Sequence, residues 1–343
     1  MKTFGHLWEK VWNFESLYQA YKRSSKGKRY DETILRFTNN LEENLIDIQN
    51  KLIWKTWEPG RWHEFQIFDP KKRQISAPPF QDRIVHHSLV NVIEQLFERR
   101  FIYHSYACRV GKGTHAAVNR ALALAKKARF LWGSYWVLKC DIKSCFPSVD
   151  HNILKQRLRR TIKDKDVLWL CDTIIDAGGS HGKGLPIGAL TSQLFANVYL
   201  DALDHFLMDD LGIKMYCRYM DDFIVLGPDR SEMESLKRRI SQFIDSKLGM
   251  YLNERSMVFK WHQGINFCGY RIWPTHVLPR KRNVARARRK LKKLSRKAQN
   301  CESYENAFHG CLASFRGYMK HCDGYVTTIL IDNDVVLYSQ RTK

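Results

Sequence analysis

Apolar residues recur at three- and four-residue spacing through ESLYQAYKRSSKGKRY and DETILRFTNNLEENLIDIQNKLIWKTW, which predicts helices over most of the first 60 residues. Lys-Ser-Gly punctuation at positions 24–28 separates them. From Trp62 to Ile75 the period shortens to two around Asp69-Pro70, the signature of a β-hairpin whose turn carries Lys71, Lys72 and Arg73. DRIVHHSLVNVIEQLFERRF returns to a helical pattern, SYACRVGKGTHAA is irregular, and another helix is expected from about 116 to 130.

The middle of the chain changes rhythm repeatedly. SYWVLKCDI (134–142) reads as a strand, HNILKQRLRRTI and the segment up to Ala177 as helical, and GALTSQLFANVYLDALDHFLMDDL as an amphipathic helix. MYCRYM and DFIVLG read as strands around Asp221, SEMESLKRRISQFIDSKLG as a helix, and residues 250–259 as holding a short strand. Strand, helix, strand, strand, helix, strand is the split βαβ, ferredoxin-like order, an antiparallel sheet backed by helices and an α+β fold. A strongly basic helix, RKRNVARARRKLKKLSRKAQ, follows, then a helix around 304–321. No repeat or low-complexity tract interrupts the chain, so boundaries are placed at composition shifts, giving 1–133, 134–279 and 280–343.

With 343 residues, 44% of them hydrophobic, the chain can bury a substantial core without staples. No apolar run is long enough to span a bilayer, and the N-terminus lacks the apolar core and cleavage site of a secretory leader. Nine scattered cysteines without a CxxC pair argue against a zinc site and a disulfide framework, so a cytoplasmic location is expected. The 57 Lys+Arg against 35 Asp+Glu leave a net charge of +22, which attracts polyanions by counterion release. The basic residues are interleaved with aromatics along the whole length, which favours nucleic acid over a membrane surface.

Against that positive background, adjacent Asp221 and Asp222 at a hairpin tip stand out. Asp is a common turn former, so the pair alone also fits a solvated turn. Asp141 alters this balance, because it ends a strand that the split βαβ order sets beside the hairpin. Carboxylates on neighbouring strands can hold two hard divalent cations about 4 Å apart, the arrangement that activates an attacking oxygen and stabilises a leaving pyrophosphate. In a basic protein that chemistry points to nucleotidyl transfer. GKGTHAA and HGKGLPIG do not satisfy GxxxxGK[ST] and are weak signals for a phosphate loop.

The motifs around these acids resemble those of reverse transcriptases. KCDIKSCFPSVDH (139–151) resembles motif A, GLPIGALTSQLFANVYL (184–200) motif B, RYMDDFIVLG (218–227) motif C with its YMDD box, and INFCGYRI (265–272) the primer-grip motif E. KKRQISAPPFQDRIVHHSL resembles the fingers motif, and SYACRVGKGTHAAV the segment before the palm. Motif B reads Ile187-Gly188 then Ser192-Gln193, where most relatives read Gln-Gly and Ser-Pro, a variant similar to that of the diversity-generating retroelements. The resemblance implies a right-hand polymerase with fingers, a ferredoxin-like palm and a helical thumb.

It further implies that Asp141, Ile142, Asp221 and Asp222 hold two Mg²⁺ ions, for which Mn²⁺ can substitute, with Asp222 as the less certain third carboxylate. Asp150 is read instead as a helix cap. Lys71 and Arg73 would clamp the deoxynucleoside triphosphate, and Phe146 would be the steric gate against a 2′-hydroxyl, with an ordinary core Phe as the bland alternative. Ile187, Gly188 and Gln193 would line the nucleotide site; an Ile in place of a hydrogen-bonding Gln predicts low fidelity. Arg83, Arg109, Phe267, Gly269, Tyr270 and the basic-helix residues Arg280, Lys281, Arg282, Arg286, Arg289 and Lys290 would contact nucleic acid, the rival for the helix being a merely solvated face. A motif D general acid has no clear match, since LNERSMVFK offers both Arg255 and Lys260.

The resulting expectation is an RNA-directed DNA polymerase copying template-repeat RNA into cDNA with adenine-directed errors, the basis of mutagenic retrohoming. The resemblance implies a small basic, pentameric accessory variability determinant as partner. The alternatives are a group II intron-like or other bacterial reverse transcriptase, and a non-catalytic RNA-binding protein with a vestigial polymerase fold.

Overall fold

The computed structural model describes residues 4–68, 72–298 and 302–340. Helices α1 (Trp8–Trp12), α2 (Phe14–Ser24), α3 (Glu32–Asn39) and α4 (Leu41–Ile53) lead into the hairpin β1 (His63–Ile67) and β2 (Arg73–Ala77). Then come α5 (Phe80–Glu98), α6 (Thr114–Trp132), β3 (Trp136–Asp141), α7 (Cys145–Ser148), α8 (His151–Arg159), α9 (Lys165–Asp176) and α10 (Leu190–His205). The chain continues through β4 (Tyr216–Tyr219), β5 (Asp222–Gly227), α11 (Arg230–Leu248), β6 (Met257–Lys260), β7 (Ile265–Phe267), β8 (Tyr270–Ile272) and β9 (Val277–Pro279). It closes with α12 (Lys281–Ala298), α13 (Glu302–Met319) and α14 (Tyr325–Gln340). Among the described residues no helix is long and apolar enough to cross a membrane.

The elements divide into two compact units, each assembled from three chain segments. One comprises Met1–Arg109, Asp141–Ile213 and Arg238–Glu254. Its core is built on α5, which buries Ile84, Val85, Leu89 and Ile93, packed against α2 and α10. The sequence pattern predicts an amphipathic α10, and the structure corrects this: Leu194 to Leu200 are all buried. Small residues such as Ala196 let neighbours approach closely, so no polar face survives over this stretch. Beyond His205 the helix loosens into a π-helical turn at Phe206–Asp210.

Asp164 ties the N-terminal helices to this core. It caps α9 by accepting from the N–H groups of Asp166 (3.1 Å) and Val167 (3.2 Å), and its other oxygen accepts from Leu7 (2.7 Å) and Trp8 (3.1 Å). Burial alone would raise its pKa, but the four donors outweigh it and hold the carboxyl below its ordinary value.

The other unit comprises Val110–Cys140, Lys214–Lys237 and Arg255–Lys343. Its four-stranded sheet has the order β4-β5-β3-β6, the strand order of a split βαβ fold. β3 pairs antiparallel with β6, and β4 with β5, in a register that sets Tyr219 opposite Asp222. Strands β7, β8 and β9 form a separate antiparallel sheet. On α12 only Leu291 is fully buried; with Leu312, Phe315, Met319 and Ile331 it forms a small core, flanked by Val284 and Ala287 on the same helical stripe. Most of the other positions on α12 carry its positive charge outward.

Because the folded pKa of Asp164 is depressed, its stabilisation is complete above the unfolded value of about 4 and is lost as pH falls through the folded value. Asp164→Ala is expected to cost about 1–2 kcal/mol at neutral pH in urea denaturation, with the gap to wild type closing on acidification. A pH-independent gap would show that the carboxylate charge is not what holds these N–H groups.

Candidate active site

The β4–β5 turn has only two central residues, Met220 and Asp221, because Tyr219 pairs with Asp222. So tight a reversal forces Met220 to φ 54°, a region that non-glycine residues rarely enter. Arg218 underwrites it. Its side chain is 0% exposed, and its guanidinium donates to the Met220 carbonyl at 3.1 Å. On the other side of the turn the Tyr219 hydroxyl lies 3.2 Å from Thr114 Oγ1 at the start of α6.

Asp222 is held by Lys139 of β3, whose ammonium pairs with Asp222 Oδ1. Neither side chain is more than about a quarter exposed, at 22% and 27%, so the pair is partly shielded from water. Asp221, next to it, is half-buried at the turn. Burial above all, with a further push from Asp222, raises the Cys268 thiol well above the ordinary range. Cys140, buried within β3, is pushed up to about 12, again mainly by burial. Neither is a thiolate nucleophile at neutral pH.

Asp141 is organised by the segment after α11. Its Oδ2 accepts from Asn253 Nδ2 at 3.0 Å, while Asn253 N donates to the Asp141 carbonyl at 2.7 Å. Ile142 bridges to Leu252 and is buried, and Lys143 N donates to Tyr251 O at 2.9 Å, so three consecutive positions are zipped to residues 251–253. Ser144 then turns through a left-handed conformation (φ 49°) into α7, which carries the half-buried Phe146. Asp150 caps α8 as expected, accepting from Asn152 N and Ile153 N.

The Ile187-Gly188 loop lies against β2. Ser76 N donates to the Ile187 carbonyl at 2.8 Å, and a Cβ on Gly188 (φ 135°) would stand 2.7 Å from Ser76 O. Only glycine fits, since the close neighbour is backbone that cannot step aside. The Ile187 side chain is half-buried, Gln193 is exposed near the start of α10, and Arg73 is exposed at the start of β2. Lys71 lies outside the described residues. Arg83 is half-buried, with Nε donating to the Pro78 carbonyl at 2.9 Å.

Three expected nucleic-acid contacts are corrected. Arg109 is 5% exposed and spends its guanidinium on Glu98 and on Ser105 and the Ile102 carbonyl, so it is a strut within the first unit. Phe267 and Tyr270 are 1% and 0% exposed, on inward positions of β7 and β8, and the Tyr270 hydroxyl donates to the Tyr318 carbonyl at 2.9 Å. Gly269 lies between them with its carbonyl accepting from the Tyr318 hydroxyl at 2.6 Å and from Arg280 N. The motif E hairpin therefore carries helices α12 and α13 on its back. Arg280, Lys281, Arg282, Arg289 and Lys290 are exposed, whereas Arg286 is half-buried and bonds Asn283 at 3.3 Å.

Arg218, Lys139 and Asn253 were not among the residues picked out from sequence. Each acts through a partner that local periodicity does not reveal, although a charged residue inside the otherwise apolar run of β4 is a signal for Arg218. Arg218→Met is expected to remove about 2 kcal/mol of local stability, the worth of a charge-assisted hydrogen bond. Hydrogen exchange should then speed up across residues 217–224 and remain unchanged in α10; unaltered protection at the turn would contradict the role given to Arg218.

Comparison with known proteins draws these observations together. Residues 68–272, more than half of the chain, match the family model described as reverse transcriptase (RNA-dependent DNA polymerase). The chain is 24% identical over 242 residues to protein YkfC of Escherichia coli, covering 59% of this chain and 63% of that protein. It is 23% identical over 333 residues to the group II intron-encoded protein LtrA of Lactococcus lactis, covering 76% and 54%. It thus spans less than two thirds of either relative. Among solved structures it is similar to apo telomerase from Candida tropicalis, with TM-scores of 0.50 and 0.51 in two forms at 15% and 14% identity, covering 70% and 67% of this chain and 60% and 50% of theirs. The motif series, the strand order and the family match have one conclusion: the chain belongs to the reverse transcriptase family.

Proposed function

We propose that the chain is an RNA-directed DNA polymerase, with Asp141 and Asp221 as the carboxylates of its metal site and the Ile142 carbonyl as an auxiliary ligand. The single observation that carries this reading is the run of family motifs that includes a YMDD turn on a sheet of order β4-β5-β3-β6. The donors are hard oxygens, which fit Mg²⁺ or Mn²⁺. Among the described residues no group of three or more His, Cys, Asp or Glu side chains is gathered as a metal centre. Mg²⁺ binds through one or two carboxylates, keeps several waters and takes further ligands from substrate phosphates. When bound, the ions would supply the charge that stabilises the pentavalent phosphorus and the departing pyrophosphate.

The chain's own residues position the reactants. Asn253 fixes the orientation of the Asp141 carboxylate, and Lys139 keeps Asp222 in place as a supporting anion. Arg73, together with Lys71, would bind the triphosphate of the incoming deoxynucleotide. Phe146 would exclude ribonucleotides by its bulk. The exposed cations of α12 would hold the template and primer backbone.

We further propose that the polymerase serves a diversity-generating retroelement. Support comes from motif B, where Ile187 and Ser192-Gln193 replace the usual Gln and Ser-Pro. The Ile187 backbone carbonyl is spent on Ser76, so toward the nucleotide its side chain offers shape and no hydrogen bond. Each ~1.4 kcal/mol of discrimination lost multiplies errors about tenfold. In this setting the RNA is the template repeat, and a pentameric accessory protein is the partner. A group II intron-like role is the second reading, favoured by the similarity to LtrA.

Sequencing the cDNA made on a primed RNA of all four bases, with and without the accessory protein, separates the two. Errors should concentrate at template adenines and fall about tenfold in Ile187→Gln. Evenly low errors, unchanged by the substitution, would discard the retroelement reading and leave the intron-like polymerase.

A further inference from the structure

A polar cavity lies in the first unit, lined by none of the residues proposed for the metal or nucleotide site. It has a volume of about 690 Å³, within the usual size range of ligand sites, and is walled by α8, the C-terminal half of α10, the π-helical turn and α11. Its lining on α10 begins at Val198, five residues beyond Gln193 or roughly 7.5 Å at 1.5 Å per residue, runs on through Phe206, and includes no residue of the 184–193 stretch. The cavity is thus distinct from the Ile187-Gly188 loop.

Four cationic residues line it: Arg100, Arg157, Arg160 and Lys247. Arg157 is the most informative. Its Nε is buried and has no hydrogen-bond partner, although an orphaned donor of this kind costs about 1–3 kcal/mol. Burial and then the proximity of Arg160 lower the Arg157 pKa, as crowded cations in a partly dry site require. Its guanidinium also sits 5.9 Å from the Tyr199 ring centroid.

The same wall carries an aromatic pair. Phe206 and Phe243 stack with ring centroids 4.0 Å apart and planes 7° from parallel, and both are half-buried. Phe206 begins the π-helical turn, an irregularity that recurs at functional sites. Two carboxylates complete the lining, Asp201 and Asp210. Asp201 faces His205 Nε2 at 3.5 Å, and His205 Nδ1 lies 2.5 Å from Asp209.

We propose that this cavity is a second RNA-binding site, which takes an unpaired nucleotide and its flanking phosphates. Arginines supply the phosphate forks, and the aromatic pair gives a stacking surface of the kind that unpaired bases use. The carboxylates accept from a ribose 2′-hydroxyl or a base amino group, and they disfavour a bare polyanion, which offers no donor to them. The inference concerns binding alone and does not depend on the chain being a polymerase.

The test uses the full chain with poly(rA)/oligo(dT) already bound, so that the template–primer groove is filled. A labelled RNA hairpin with one bulged nucleotide is titrated by fluorescence anisotropy, and a 4-thiouridine version is crosslinked at the bulge. Arg157→Gln/Arg160→Gln should weaken hairpin binding about tenfold and lower the salt slope by about one, with extension of oligo(dT) unchanged. Crosslinks should map to peptides carrying Phe206 or Phe243. Lys247→Gln, at an exposed position that no fold contact requires, should weaken binding in the same direction if the double variant folds poorly. Unchanged hairpin affinity in the folded variants, or crosslinks elsewhere, would overturn the proposal. Loss of AMP binding with hairpin binding intact would also overturn it, by assigning the cavity to a free nucleotide. A chain inactive in extension would still report through anisotropy and crosslinking, so failure of the polymerase reading is distinguishable.

Discussion

Two adjacent carboxylates on a two-residue turn are an electrostatic liability, and the second unit is organised around containing it. Like charges about 5 Å apart repel by about 3 kcal/mol at an effective dielectric near 20. Lys139 answers Asp222 from the neighbouring part of the sheet, and the wholly buried Arg218 grips the Met220 carbonyl from beneath. Asp221, next to Asp222, is half-buried at the turn. The positive charge of the chain is therefore found in two settings: individual cations shape the turn, and the exposed cations of α12 form a dense positive surface.

The first unit meets a different constraint, that of holding backbone close to where a substrate must fit. Asp141 and its two successors are zipped to residues 251–253, and the Ile187-Gly188 loop is pressed so closely on Ser76 that no side chain can intervene. Positioning through backbone is economical for phosphoryl transfer, where orientation and charge contribute more than covalent help. It also explains how Ile187 can be tolerated. The Ile187 carbonyl is held by Ser76 N whatever side chain the position carries.

Much of this was legible in the sequence, and the exceptions have physical causes. Strand alternation and turn residues exposed the β1–β2 and β4–β5 hairpins and the order of the sheet, and Asp150 was readable as a cap from its place before an apolar helix. The roles of Lys139 and Asn253 depend on partners 83 and 112 positions away, which no local period encodes. Arg109, Phe267 and Tyr270 were expected to touch nucleic acid because their motifs do, yet membership of a motif does not say which way a side chain points. For Phe267 and Tyr270 the alternation Ile265, Phe267, then Tyr270, Ile272 already marked the inward face. Helix α10 was misread as amphipathic because Ser, Thr and Asn counted as polar, whereas Thr191 and Asn197 are buried with partners supplied by His86 and the Ala107 carbonyl.

The central claim is that the acids of the YMDD turn serve metal-dependent nucleotidyl transfer and are not a solvated turn. Primer extension by the purified chain on an RNA template in Mg²⁺, with wild type and Asp221→Asn compared at equal RNA occupancy, tests it most directly. The account predicts Mg²⁺-dependent cDNA from wild type and none from the variant, with RNA affinity unaltered. Extension that survives in the variant, or binding lost together with product, would contradict it.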